Sequence, residues 1–177
     1  LFSPTPRLLT LGWAYLSSLN LSELALPLME ALVEETHESC SAATLDLPDV
    51  VYVARVPTRR IMSITLSVGT RLPAHCTSMG RVLLAALPED ELDRYLAGSK
   101  LAAWTERTTT DPERLRAALD ETRQRGWALV DQELEIGLRS IAAPIRRADG
   151  STIAALNVSG ATSRVTVEDL TGRFLSS

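Results

Sequence analysis

Lysine is almost missing from this chain. Lys100 is the one lysine among 18 basic residues, and 22 acidic residues outnumber them, for a formal net charge of −4. Phosphate contacts need a local excess of Lys and Arg, so the 177 residues do not read as a free-standing nucleic-acid binder. Cysteine is nearly as scarce: Cys40 and Cys76 make no disulfide framework. No apolar run reaches membrane-spanning length and no cleavable apolar leader is visible, so a cytoplasmic protein without membrane contact is expected. Repeats, low-complexity tracts and long blocks of like charge are absent too, which argues for an ordered chain. With 45% hydrophobic residues it can bury one substantial core, so one domain with a terminal appendage is expected.

Histidine is the third scarce type, and one of the two sits beside a cysteine in LPAHCTSMGRVLLAAL, Leu72 to Leu87. His75 and Cys76 could be a base and a nucleophile, making a small cysteine-dependent hydrolase. Neighbouring strand residues point to opposite faces, however, and no third orienting group is evident. With His37 and Cys40 they could instead supply four zinc ligands, although an adjacent pair within a strand chelates poorly. The third reading uses the helix that follows. Thr77, Ser78, Met79 and Gly80 put backbone N–H groups at its positive end, where a carboxylate can be held without lysine. The plainer use of Thr77 or Ser78 is to cap that helix.

The rest of the chain alternates between the two structural periods. Leu8, Leu11 and Tyr15 recur at helical spacing after two prolines, and SELALPLMEALVEETHES reads as a second helix with Leu24, Leu28 and Leu32 on one face and Pro27 in its first turn or at a kink. From Cys40 a short alternating run, a turn on Pro48 and the β-branched run Val50–Val56 make a hairpin. Met62 to Val68 alternates strictly and predicts a strand with one buried face, turned at Gly69. Helices follow over Ser78–Leu87, from Pro88 through Tyr95 and Leu96, and from Asp111 and Pro112 to a stop at Gly126, the last with Leu115, Ala118, Leu119 and Thr122 inward. WALVD, GLRSIAAPIRR and TIAALNVSG then read as strands, the last two joined by an Asp-Gly turn, and VEDLTGRFLSS reads as a helix. The order α-α-β-β-β-α-α-α-β-β-β-α predicts an α+β domain: a central antiparallel sheet of about six strands flanked by helices.

Two of the expected strands carry unusual faces. Leu138, Ser140 and Ala142 share one side of their strand, and Ala155, Asn157 and Ser159 share one side of theirs. Small, hydroxyl and amide groups there suit the walls of a pocket, or close packing beneath a helix. Asp131, Glu133 and Glu135 precede these strands in a loop. They could order it, pair with Arg139, or stay solvated.

Together these segments resemble a known family. LPAHCTSMGRVLLAAL and DQELEIGLRSIAAPIRRADGSTIAALNVSG, with PRLLTLGWAYLSS and the VYVARV strand, are similar to the effector-binding domain of IclR-family transcriptional regulators from about Pro6 to Leu175. RRIMSITLSVGTRLPAHCTSMGRVLLA looks most like the branch regulating protocatechuate and β-ketoadipate catabolism. The resemblance implies a GAF-like domain that takes a small aromatic or dicarboxylic acid and needs no cofactor, metal or catalytic residue. It implies ligand contacts at Cys76, Thr77, Ser78, Met79, Gly80, Asp131 or its neighbour Val130, Ser140, Asn157 and Ser159. It further implies a homodimer or homotetramer that reaches operator DNA through an N-terminal winged helix-turn-helix domain outside this sequence. On that expectation residues 1–20 are linker and helix, and residues 21–177 are the effector-binding domain.

Overall fold

A computed structural model describes residues 21–58 and 66–173. The amphipathic helix expected from Leu8 and most of the strand expected over Met62–Val68 lie outside them.

Helix α1 (Leu21–Thr36) leads into strands β1 (Ser39–Asp46) and β2 (Asp49–Val56). Asp46 pairs with Asp49 across the two-residue turn Leu47–Pro48, so the hairpin forms where the proline predicted it. A short strand, β3 (Arg71–Pro73), follows. After the single 3-10 turn Ala74–Cys76 come helices α2 (Ser78–Ala85), α3 (Glu89–Gly98) and α4 (Pro112–Arg125). Strands β4 (Ala128–Asp131), β5 (Leu138–Arg146) and β6 (Thr152–Ala161) complete one six-stranded sheet of order β3-β2-β1-β6-β5-β4. All five pairings are antiparallel. Two three-strand meanders are therefore joined through β1 and β6 at the centre. A π-helical turn over Asp169–Arg173 stands within the helix expected at the end of the chain.

The helix boundaries follow local chemistry. Asp111 caps α4, its carboxylate accepting from the Arg114 N–H at 2.8 Å, with Pro112 in the first turn. Gly126, at φ +82°, ends it in the left-handed conformation that costs glycine little. Acidic Glu89, Asp90 and Glu91 occupy the first turn of α3, where the helix dipole favours them.

The sheet buries both faces. Helix α2 is buried along its whole length on one face, over Ala43, Ala142 and Ala155, with Leu115 and Leu119 of α4 and Leu92 of α3 behind it. On the other face Ala25 and Met29 of α1 cover Cys40, Ala42 and Ala154, and Val165 and Leu170 cover Ile141 and Val158.

Two expectations change here. Leu28 is 72% exposed rather than inward. The small residues Ala42, Ala54 and Ala154 instead receive Ala25, Met29 and, partly, Leu32 and Val33, one step round the helix. The strand that edges the first meander is Arg71–Pro73, and Leu66–Val68 carry no strand. Gly69, at φ +89°, turns the chain, while Gly69 and Thr70 both bond to Tyr52, so pairing starts only after the turn. Arg71, bound to Asp46 and Asp49, pins that short edge.

Candidate functional site

Where β3 hands over to α2, three local features fix the backbone. Thr77 is the N-cap: its hydroxyl accepts from the Gly80 N–H at 3.2 Å and donates to the Pro73 carbonyl at 3.0 Å. Gly80 lies so close to the 3-10 turn that a Cβ there would stand 2.1 Å from the Ala74 carbonyl oxygen. Glycine is therefore a requirement of close backbone approach. Arg81 folds back and donates from Nε to the His75 carbonyl at 3.1 Å. The result is a rigid helix start whose first amides have no carbonyl within the helix to bond.

That helix start faces the sheet across a small cavity of about 40 Å³. Its polar lining is Cys76, Thr77 and Ser78 from the turn and helix, and Ser140, Asn157 and Ser159 from β5 and β6. Ser140 and Ser159 pair directly across the two strands, and Asn157 follows by alternation. The apolar lining is Tyr52, Leu66, Leu72, Val130, Leu134 and Leu138. The neighbouring small residues Ala142 and Ala155 lie beneath α2, so both readings of these strand faces hold, each over part of their length.

Two atoms distinguish this cavity. Ser78 Oγ and Asn157 Oδ1 are the buried side-chain polar atoms without a hydrogen-bond partner among the described residues. Ser78 is 1% exposed and Asn157 6%, so water outside does not satisfy them. An orphaned buried polar group costs about 1–3 kcal/mol. Two lining the same space mark a place where a polar ligand restores the missing bonds. Burial pushes the Tyr52 phenol up to about 12, against a lowering influence from Arg55, which keeps its hydroxyl a donor.

Of the nine residues expected to bind, six line the cavity. Met79 is fully buried in the main core instead, and Gly80 packs on Ala74. Asp131 lies on the opposite strand face. It sits across from Arg139, receiving Nε at 3.0 Å and a terminal nitrogen at 3.2 Å, with Arg107 at 3.8 Å; alternation gives the cavity Val130. Arg139 thus pairs with Asp131 rather than with Glu133 or Glu135. Glu133 instead accepts from Arg81 at 2.7 Å and from the Thr109 N–H at 2.8 Å.

The cysteine chemistry is not supported. Burial pushes the Cys76 thiol up to about 12, with Glu133 adding to the rise and Arg81 opposing it, which disfavours the thiolate a nucleophile needs. The His75 ring is engaged at Nε2 by the Ala102 carbonyl at 3.0 Å. Cys40 packs under α1 on the face of the sheet away from the cavity, and His37 is exposed at its start. Among the described residues no group of three or more His, Cys, Asp or Glu is placed to hold a metal ion.

Tyr52, Leu134 and the Arg81–Glu133 pair are site elements that sequence reading missed. Alternation along β2 could have revealed Tyr52, which shares a face with buried Val50. The ion pair spans 52 positions and leaves no local signal.

A small cavity of mixed polar and apolar lining between a helix start and a sheet is the layout of a small-molecule receptor module. The family model for the bacterial transcriptional regulator IclR C-terminal region matches residues 13–177, and the chain belongs to that family. It is 51% identical over 175 residues to the Pca regulon regulatory protein of Pseudomonas putida, covering 98% of this chain and 60% of that protein. The fold is similar, at TM-score 0.90 and 53% identity, to a crystal structure described as a transcriptional regulator of Rhodococcus sp. RHA1, covering 97% of this chain and 70% of that one. It is similar, at TM-score 0.81 and 34% identity, to the inducer-binding domain of a PobR transcription factor double mutant from Acinetobacter in complex with 3-hydroxybenzoic acid, covering 87% and 90%. The chain spans about three fifths of the length of the first curated relatives it matches.

Proposed function

We propose that this chain is the effector-binding part of a transcriptional regulator of aromatic catabolism and that its cavity receives a small aromatic carboxylate. The observation that carries this reading is the pair of orphaned polar atoms, Ser78 Oγ and Asn157 Oδ1, in one cavity at the start of α2. The carboxylate lies at the helix start, taking the Ser78 hydroxyl and the first-turn amides that the Thr77 cap does not use. The ring packs among Leu72, Leu134 and Leu138, and ring hydroxyls reach Ser140, Asn157 or Ser159. The hydroxybenzoate complex of the Acinetobacter relative and the Pca regulon regulator of P. putida support the choice of ligand class. In the same reading residues 1–20 are the link to a winged helix-turn-helix domain, and the whole protein is a cytoplasmic homodimer or homotetramer. Effector bound better in one arrangement of the subunits then shifts the spacing of the DNA-binding domains, and with it operator affinity.

Isothermal titration calorimetry with protocatechuate, 4-hydroxybenzoate, benzoate and β-ketoadipate tests it. At least one acid binds wild type. Ser78→Ala weakens it by about two- to tenfold while raising the melting temperature of the free protein, because it deletes an unsatisfied buried hydroxyl. Ser78→Leu abolishes binding. Silence from all four acids would sink the ligand assignment, and a Ser78→Ala protein less stable than wild type would show that the hydroxyl is satisfied in the free state.

A further inference from the structure

A cavity of about 40 Å³ is far below the roughly 300–1,000 Å³ of ordinary ligand pockets. A benzene ring therefore enters only if a wall moves. The helix and strand walls are fixed by the core and the sheet ladder. Apart from the N-cap Thr77, the described lining residues outside helix and strand are Leu66 and Leu134; Leu134 is carried into the cavity by the loop Gln132–Gly137, which joins no strand and exposes Ile136 on its outer side. Both ends are left-handed, Gln132 at φ +64° and Gly137 at φ +84°, and the Gly137 N–H bonds back to the Gln132 side chain at 3.1 Å. The loop is a compact flap on two turns.

What holds the flap is a buried cluster beside the cavity. Glu133 Oε2 accepts from Arg81 at 2.7 Å and from the Thr109 N–H at 2.8 Å, with the two paired side chains 11% and 8% exposed. The Glu133 carbonyl accepts from Thr108 at 2.6 Å, and the Gln132 carbonyl from Thr105 at 2.8 Å. Arg81 also holds the His75 carbonyl, at the turn that presents Ser78. A single guanidinium therefore ties the flap to the helix start.

Resting on the receptor reading above, we propose that Gln132–Gly137 is the door of the cavity and that Arg81–Glu133 is its latch, a positioning pair that sets how fast effector enters and leaves. Neither Arg81 nor Glu133 lines the cavity, so the pair re-forms over a bound ring once the Leu134 side chain has turned aside, and the latch is made with and without effector. Weakening it therefore populates the open state without discriminating between them, since a population shifts only by differential interaction. Association and dissociation rates rise together, and the dissociation constant moves little.

Glu133→Gln is the variant to make, because its amide oxygen keeps the acceptor and loses the charge. In stopped-flow tryptophan emission with protocatechuate or 4-hydroxybenzoate, both rates rise about tenfold, equivalent to ~1.4 kcal/mol, while the dissociation constant stays within about threefold. Thr105→Val, which releases the other side of the flap, gives the same pattern and stands in if Glu133→Gln does not fold. An unchanged association rate with weaker affinity would overturn the latch and leave Glu133 a structural residue. Hydrogen exchange without ligand separates this from failure of the receptor reading. Glu133→Gln speeds exchange at Glu133–Gly137 even if neither acid binds wild type; exchange equal to wild type there overturns the door.

Discussion

The neutral His75 ring carries its proton on Nε2, because the Ala102 carbonyl 3.0 Å away can only accept. Burial lowers the pKa of this ring from its usual 6.5; the Ala102 bond and Glu133 oppose the shift, and Arg81 adds to it. A base whose folded pKa is depressed costs stability on acidification. Above about pH 6.5 both states are neutral; below it the unfolded chain takes a proton that the folded chain declines, until the folded value is reached. The melting temperature therefore falls from about pH 6.5 downward, and His75→Gln flattens that part of the profile relative to wild type. Parallel profiles would mean that other groups carry the acid sensitivity. His75 also marks how far single residues could be read from sequence. Five cavity residues, Thr77, Ser78, Ser140, Asn157 and Ser159, followed from strand alternation and a helix start, which are local rules, while Cys76 came from the family resemblance. Asp131 did not, because its orientation depends on the register of β4 against β5, which turns it onto Arg139. Arg81 did not either, since what makes it matter is an acid 52 positions away.

Among the elements, α2 is the one on which the others converge, and its C-terminal end has its own clasp. Arg123 of α4 donates from Nε to the Ala85 carbonyl at 2.6 Å and from Nη1 to Glu89 at 2.5 Å, with Asp120 at 3.1 Å. It thereby satisfies a carbonyl left over at the end of α2 and fixes the first turn of α3. Arg123→Ala lowers stability by about 1–2 kcal/mol, the bonds being charge-assisted but part-exposed, and so lowers the melting temperature by roughly 2–8 °C. Effector affinity stays within about twofold, because α2 rises ~10 Å between this clasp and Ser78; a larger loss would mean that the helix transmits strain along its length. Helices α3 and α4 were legible because proline, acid and glycine punctuate them, and the hairpins because Pro48 and Asp149–Gly150 sit where the chain reverses. β3 was not, since three residues are too few to show a period and its pairing is set by a turn bonded to Tyr52.

For the molecule as a whole, the cavity and its unsatisfied groups set the balance between stability and reception. The structure leaves two buried polar atoms unpaired beside a space too small for a ring. A receptor built in this way is stabilised by what it receives, and by an amount that mass action fixes. Effector at a hundred times its dissociation constant adds about 2.7 kcal/mol, which for a domain of this size raises the melting temperature by roughly 5–11 °C. A cavity that is merely a packing defect gains nothing from the acid, whatever its concentration. Differential scanning calorimetry across a concentration series of protocatechuate separates the two: a midpoint that climbs with the logarithm of concentration supports a working receptor. A flat midpoint means that the orphaned Ser78 and Asn157 are a cost of the fold with no return in binding. The sheet topology alone could not decide between these, since the same six strands enclose either; the decision rests on whether the two silent polar atoms find partners.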